Sequence, residues 1–152
     1  MEKKPDSPIC SFEVRPIPGK PKKEPPSESP SLPNARLLLL RAIEIGTAIP
    51  SVHFNDRCDF REFSAIDAEM LIEAGDIIGG PRYDSEHHSW EYEFWGKIDR
   101  RGWMLVVALH CSADFMHSPR VTYISVHQLN AKRAARKKVK DKGGHHNDKD
   151  LL

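Results

Sequence analysis

The spacing of apolar residues changes at Gly75, and this change restricts the fold more than any other feature of the chain. Before Gly75 the apolar residues recur at helical intervals between helix caps, whereas beyond it they alternate or run continuously, as they do in strands. Helices followed by a run of strands are typical of an α+β domain, in which the helices pack on one face of the sheet. We therefore predict two to three N-terminal helices on an antiparallel sheet of about four strands.

End signals define the first and the third of the predicted helices. The first begins at the cap Asn34 and ends at Gly46. The third begins after the cap Ser64, with Asp67 in the capping-box position, and ends at Gly75. Both segments carry apolar residues at helical spacing between these signals, so each is expected to pack against the sheet.

A shorter second helix is predicted after Pro50, with Ser51 as its cap. It would carry His53 and Arg57, which lie four residues apart and so share one face of the helix. This pair either fixes the helix on the sheet or takes part in chemistry, and the sequence leaves both options open.

Four strands are predicted in the second part of the chain. The first, over 76–83, is a short edge strand with a Gly-Gly-Pro kink, and the second alternates between aromatic residues and glutamates. The third, over 103–109, is almost continuously apolar and suits the centre of the sheet. The fourth, over 121–129, alternates again, which places His127 on the same face as Val121.

Both ends of the chain are predicted to lie outside the folded domain, which spans residues 34–130. Of the 12 prolines, 9 fall within residues 1–33, and a Pro-rich segment of this kind buries too little apolar surface to become ordered. It has neither a continuous apolar stretch nor a small-residue cleavage site, so neither a secretory signal nor a membrane anchor is expected. Residues 131–152 hold eight Lys and Arg against three Asp, which predicts a basic, flexible tail with a helix as an option at its start.

Charge is divided unevenly between the domain and the tail. Residues 34–130 contain nine bases and fourteen acids, which leaves a formal charge of −5. Nucleic-acid binders usually place positive charge on the folded face that meets the phosphates, and this domain does not fit that pattern. The tail is cationic enough to contact nucleic acid or an acidic partner, although a solvated extension is the favoured interpretation.

No metal or cofactor site is predicted from the sequence. The three cysteines, Cys10, Cys58 and Cys111, form no Cys-x-x-Cys pair, which indicates reduced thiols in the cytoplasm. His87 and His88 lie near acidic residues, but adjacent histidines in a loop rarely reach one ion, so a solvated turn is favoured there. The sequence also contains neither a Gly-rich phosphate loop nor a nucleophile elbow.

Five features follow one another in a recognisable order between Leu37 and Leu129. They are His53-x-x-x-Arg57, a hydrophobic turn from Leu71 to Gly79, a Trp90-x-Tyr92 strand, an apolar strand over 105–109 and a last strand over 122–126. In this order and spacing the chain resembles the bacterial domain of unknown function 4258, which is similar in fold to the RelE/ParE-like toxins of type II toxin–antitoxin systems. It departs from the family pattern at Cys58, where Met is usual, and at residues 63–66, where Arg-Gly-Ile is usual.

The resemblance implies a toxin that cleaves RNA. RelE-like ribonucleases act without a metal: a base helps the ribose 2′-OH attack the adjacent phosphate, a cation stabilises the developing charge, and an acid protonates the departing oxygen. A cognate antitoxin protein, RNA or the ribosome would be the partner. Residue types able to fill the three roles are found at His53, Arg57, Tyr92, His110, Arg120 and His127.

A non-catalytic protein-binding or regulatory module is the alternative, because one fold hosts several activities and the domain is acidic. The two hypotheses predict different placements of the cations. Convergence of Arg57, Arg82, Arg120 and His53 on one concave face would favour RNA cleavage. Dispersal of these residues, or their pairing with carboxylates, would favour the module.

Overall fold

The structure, a computed structural model, describes residues 28–111 and 117–146, with side chains up to residue 140. This part of the chain has the α+β architecture predicted from the sequence, with four helices and five strands. The helices are α1 (Leu32–Ile45), α2 (Val52–Arg61), α3 (Ala65–Ala74) and α4 (Ala131–His146). The strands are β1 (Ala48–Pro50), β2 (Asp76–Asp84), β3 (Ser89–Ile98), β4 (Arg101–His110) and β5 (Val121–Gln128).

The sheet is mixed rather than wholly antiparallel, which corrects the predicted four-stranded arrangement. Its order is β1-β5-β4-β3-β2, and the last four strands form an antiparallel meander with β4 at the centre, as expected. The additional strand β1 pairs in parallel with β5, Ala48 opposite Val121 and Pro50 opposite Tyr123. Three residues ending in proline are too few to show an alternating pattern, so the sequence carries no signal for this strand.

Helix α1 begins earlier than predicted. Ser31, not Asn34, is its cap: the Ser31 hydroxyl accepts a hydrogen bond of 3.3 Å from the main-chain N–H of Asn34. Pro33 then lies in the first turn, where its missing N–H needs no partner. The cap and first turn of α1 therefore use residues 31–33 of the Pro-rich segment, while residues 1–27 lie outside the described part of the chain.

The predicted caps of α2 and α3 are confirmed. The Ser51 hydroxyl accepts from the N–H of Phe54 at 3.0 Å. At α3 the Ser64 hydroxyl accepts from the N–H of Asp67 at 3.2 Å, and the Asp67 carboxylate accepts from the N–H of Ser64 at 2.9 Å. These reciprocal bonds form the capping box expected from the Ser-x-x-Asp spacing.

Removal of the Ser64 hydroxyl is expected to destabilise the domain by about 1 kcal/mol, because the N–H of Asp67 loses its acceptor. Urea unfolding followed by circular dichroism would measure the Ser64→Ala variant against wild type. Ser64→Gly is the matched control and should cost only a few tenths of that amount, since Gly is tolerated at caps. An Ala variant as stable as wild type would show that the capping box contributes nothing.

The hydrophobic core lies between the sheet and helices α1, α2 and α3. We call the side of the sheet that these helices cover the core face. From β3 it receives Tyr92 and Phe94, both 0% exposed, and from β4 it receives Leu105 and Val107. The glutamates Glu91 and Glu93 of β3 alternate with these aromatic residues, as predicted, and therefore lie on the opposite side, which we call the second face.

One residue of β5 interrupts the predicted alternation. Val107 pairs with Tyr123 and Val106 with Ser125, so Ile124 is an extra residue in a bulge. Beyond the bulge the two faces exchange, and Ser125 and His127 join the second face. The prediction that His127 shares a face with Val121 is therefore wrong, because the sequence alternates regularly through a strand that contains an insertion.

The basic tail begins with helix α4, at the position where the sequence left a helix as an option. Asn130 caps this helix through a 2.8 Å hydrogen bond to the N–H of Arg133, and the helix packs along β2. Ala134 is 3% exposed, and Lys137 Nζ lies 3.3 Å from Glu93 Oε1 in an ion pair that is not aligned for a hydrogen bond. Residues 147–152 lie outside the described part.

Candidate active site

A cavity of about 260 Å³ opens on the second face, where β2, β3 and β4 come together. The sheet register builds it: Asp84 at the end of β2 pairs with Ser89 at the start of β3, and Ser89 pairs with His110 at the end of β4. The polar residues that line the cavity are Ser51, Asp84, His87, Ser89, Glu91, His110 and Thr122. Side chains from four consecutive strands and one turn thus meet at a single concave position.

His110 is held against β5 at one wall of the cavity. Its Nε2 lies 2.8 Å from the hydroxyl of Thr122. Burial lowers the pKa of His110 most, the nearby charges of Arg120 and His87 lower it further, and a hydrogen bond with the His87 main chain opposes these effects. An ordinary histidine has a pKa of about 6.5, and the pKa of His110 lies below this value. His110 is therefore predominantly neutral at pH 7 and can accept a proton.

His87 has the opposite character. Its Nδ1 lies 2.7 Å from Asp84 Oδ2, and this hydrogen bond, together with the Asp84 charge, raises the pKa of His87. Asp84 is held in place because its Oδ1 accepts from the N–H groups of Glu86 at 3.0 Å and His87 at 3.4 Å. The hydrogen bond to His87 is also the main cause of the lowered pKa of Asp84. Protonated His87 is therefore stabilised at the cavity and can donate a proton.

Two further polar groups in the cavity, Glu91 and Ser89, are affected by burial. Burial raises the pKa of Glu91 most, and the neighbouring Asp84 charge raises it further, while Arg82 opposes both. Ser89 is 0% exposed, and its hydroxyl has no hydrogen-bond partner among the described residues. A buried hydroxyl without a partner is unfavourable, so Ser89 marks a position at which a polar atom of a ligand would be stabilised.

Tyr92 lies apart from the other sequence-predicted site residues. It points to the core face, and its hydroxyl donates to the carbonyl of Pro30 at 3.4 Å. Burial raises its pKa far above the ordinary value. A side chain enclosed in this way has no access to the cavity on the second face, so the structure gives no support to a catalytic role for Tyr92.

Three of the remaining predicted residues meet at another position. His53 and Arg57 of α2 lie close enough to His127 for their charges, with that of Arg61, to lower its pKa, although burial is the larger cause. His127 Nε2 is 3.2 Å from the hydroxyl of Ser125. None of the three residues lines the cavity, whereas His110 does, and Arg120 lies close enough to His110 for its charge to lower the pKa of that histidine.

The four basic residues named in the sequence analysis do not converge on one point. His53 and Arg57 lie beside His127, and Arg120 lies beside His110. Arg82 Nη2 forms a 2.9 Å ion pair with Glu93 Oε2, a carboxylate whose side chain is 8% exposed. All three positions lie near the second face, and at the third the cation is paired with a carboxylate of that face, Glu93.

The sequence analysis missed Ser89 and Glu91, and considered His87 and Asp84 only as metal ligands. A hairpin in the sequence could have indicated that these residues lie together. One strand ends at Asp84 and the next starts at Ser89 after a short turn, so the two residues pair. Pairing that hairpin with His110 requires the register of β3 and β4, which the loop between them fixes.

The turn between β2 and β3 also contains the one group, among the side chains described in residues 28–111 and 117–140, whose ligand atoms could share an ion. Atoms of Asp84, Glu86 and His87 lie within 4.8 Å of one another. His88 does not join them, because its Nδ1 forms a short hydrogen bond with the hydroxyl of Tyr83. The turn hydrogen bonds of Asp84 and its contact with His87 account for this grouping without an ion.

Comparisons of the chain with protein-family models, with curated proteins and with solved structures give no significant match. No helix in the described part has the length and apolar character required to cross a bilayer.

Proposed function

We propose that this chain is a toxin-like, metal-independent endoribonuclease with a RelE-like domain related to domain of unknown function 4258, and that the cavity on the second face is its active site. The observation that carries the proposal is the pairing of His87 and His110 at one cavity, with pKa values displaced in opposite directions. Two titratable groups whose environments separate their pKa values are suited to act as an acid and a base.

In the proposed reaction His110 is the base and His87 the acid. The neutral His110 ring takes the proton of a ribose 2′-OH, which replaces the Thr122 hydroxyl at Nε2. The 2′-oxygen forms a bond to the adjacent phosphorus, and the bond from phosphorus to the 5′-oxygen breaks. Protonated His87 gives its proton to that 5′-oxygen. The products are a 2′,3′-cyclic phosphate and a free 5′-hydroxyl.

Three other residues support this step without exchanging protons. Asp84 is a positioning residue, because its carboxylate orients the His87 ring and favours its protonated form. Arg120 is exposed beside His110 and supplies positive charge to the phosphate as negative charge accumulates there. The Ser89 hydroxyl is a donor that a phosphate oxygen would satisfy.

The chemistry is tested by the ends of the products. A 5′-labelled single-stranded RNA incubated with the purified chain should yield fragments ending in 2′,3′-cyclic phosphate, at the same rate with and without EDTA. The matched control is the same oligonucleotide with one 2′-deoxyribose at the cleaved position, which should stay intact because it lacks the nucleophile. Cleavage of the deoxy substrate, or products with 3′-hydroxyl ends, would overturn the proposed mechanism.

A second candidate, a non-catalytic protein-binding or regulatory module, is favoured by one specific observation. The ion pair of Arg82 with Glu93 neutralises a cation at the second face, in a domain whose formal charge is already −5. Induced expression separates the candidates: wild type should arrest growth and fragment cellular RNA, and a His87→Ala, His110→Ala double variant should do neither. Harmless expression of both forms would favour the module.

The proposed partners follow from the same surfaces. Helix α4 packs on β2 through Ala134 and Lys137 and leaves Lys132, Arg133 and Arg136 exposed. We propose that this basic helix contacts nucleic acid, either RNA or the ribosome, and that an antitoxin protein would cover the cavity. Action on cellular RNA would place the protein in the cytoplasm.

A further inference from the structure

Helix α2 carries a row of three basic side chains along one of its sides. His53, Arg57 and Arg61 are spaced by four residues, which places them on successive turns, about 6 Å apart along the helix axis. All three lie close enough to His127 on β5 to influence its pKa, so the row faces the edge of the second face. In the described part of the chain, Arg57 and Arg61 form no salt bridge.

The row runs from the active-site cavity to a second depression on the surface. At its start, Ser51, the cap of α2, lines the active-site cavity. At its end, Arg61 lines a wide surface depression of about 630 Å³ together with Phe60, Glu62, Arg101 and Gln128. Phe60 is 86% exposed, which is unusual for a phenylalanine on a short helix that already buries another aromatic residue.

We propose that this row, with Phe60 at its end, binds the phosphates and one base of a single-stranded RNA whose scissile phosphate lies in the cavity. This inference rests on the proposed function and adds the path along which the bound RNA strand extends away from the active site. Cations that follow a phosphate backbone and an exposed aromatic ring on which a base stacks are the usual components of single-strand binding surfaces. An acidic protein segment would pair with the cations but would leave Phe60 without a role.

The row is tested by the salt dependence of binding. An octamer of 2′-O-methyl RNA, which has no nucleophilic hydroxyl, serves as a fluorescent ligand for anisotropy measurements over a range of salt concentrations. An Arg57→Gln, Arg61→Gln variant should reduce the slope of log affinity against log salt by about 1.4, because two phosphate contacts are lost. The charge-matched control is Arg41→Gln, Lys97→Gln, which removes two cations elsewhere and should leave the slope unchanged.

The aromatic end of the row has its own test. Phe60→Ala should weaken binding of the octamer by roughly tenfold and leave binding of a dinucleotide unchanged, because only the longer strand reaches the depression. Val52→Ala is the matched control, since Val52 is 77% exposed at the other end of the same helix. An equal loss in both variants would contradict a stacking position at Phe60.

The outcomes separate this inference from the proposed function. Slope changes confined to the α2 variant support the row even if cleavable RNA is never cut, in which case only the catalytic proposal fails. Equal slopes in the α2 variant and its control overturn the row, whatever the cleavage assay shows. Competition by poly-glutamate as effective as competition by unlabelled RNA would also overturn it, in favour of an acidic protein partner.

Discussion

Replacement of His110 by alanine is expected to reduce the rate of RNA cleavage by about 100-fold to 10,000-fold, the usual contribution of a general base. The loss should appear with a dinucleotide substrate, which engages the cavity alone. His127→Ala is the matched control, because His127 lies on the next strand and on the same face but outside the cavity. A similar loss in both variants would assign the effect to a general disturbance of the sheet.

The pH profile of the wild-type rate should be bell-shaped if both histidines act as proposed. The acidic limb reports loss of the base: His110 must be neutral, and its lowered pKa places this limb below about pH 6.5. The alkaline limb reports loss of the acid: His87 must be protonated, and its raised pKa places this limb above about pH 6.5. The maximum is expected between the two limbs.

Neighbouring substitutions should move one limb each. Asp84→Asn removes the charge that raises the pKa of His87, so the alkaline limb should shift to lower pH. Arg120→Gln removes a charge that lowers the pKa of His110, so the acidic limb should shift to higher pH. A merely structural role for these residues would lower the rate at every pH and leave both limbs in place.

Replacement of Phe54 by alanine is expected to lower the free energy of unfolding by about 3–5 kcal/mol, the usual cost of removing a buried phenylalanine. Phe54 is 1% exposed and anchors α2 to the sheet, with its ring 5.3 Å from that of Tyr123 and 6.3 Å from that of Phe63. Guanidinium chloride unfolding provides the measurement. Phe60→Ala, on the same helix but exposed, should change the stability by less than about 0.5 kcal/mol.

The sequence predicts the elements of this fold that depend on local chemistry. Ser51 and Ser64 act as helix caps because their hydroxyls reach main-chain N–H groups three residues ahead, and that spacing is visible in the sequence. The face of Tyr92 and Phe94 was predicted for a similar reason, since β3 alternates without interruption. The α+β class follows from these elements together.

Elements that depend on distant partners were not predictable. β1 is a strand because its three residues pair with the edge of β5. Ile124 lies in a bulge because its neighbours Tyr123 and Ser125 pair with consecutive residues of β4. Helix α4 is ordered by its contact with β2, which its composition of Lys and Arg does not indicate. In each case the stabilising contact comes from a part of the chain far away in sequence.

The candidate site was hidden for the same reason. Ser89 meets His110 only because Ile98 pairs with Arg101 across a two-residue turn, which sets the register of β3 and β4 along their whole length. Hairpin turns of this kind normally contain Asn-Gly or a similar pair, whereas here Asp99 and Arg100 adopt positive φ values of 52° and 70°. Without the usual turn signal, neither the register nor the cavity can be read from the sequence.

The two borders of the sheet have a consequence for behaviour at high concentration. A long unpaired strand at a sheet border invites other chains to add their own strands, which leads to fibrils. Here one border is β1, which is three residues long and ends in Pro50, a residue with no N–H to offer. The other border is β2, and α4 lies along it. The chain should therefore tolerate crowding without aggregating, and loss of α4 should expose the border that remains long enough to polymerise.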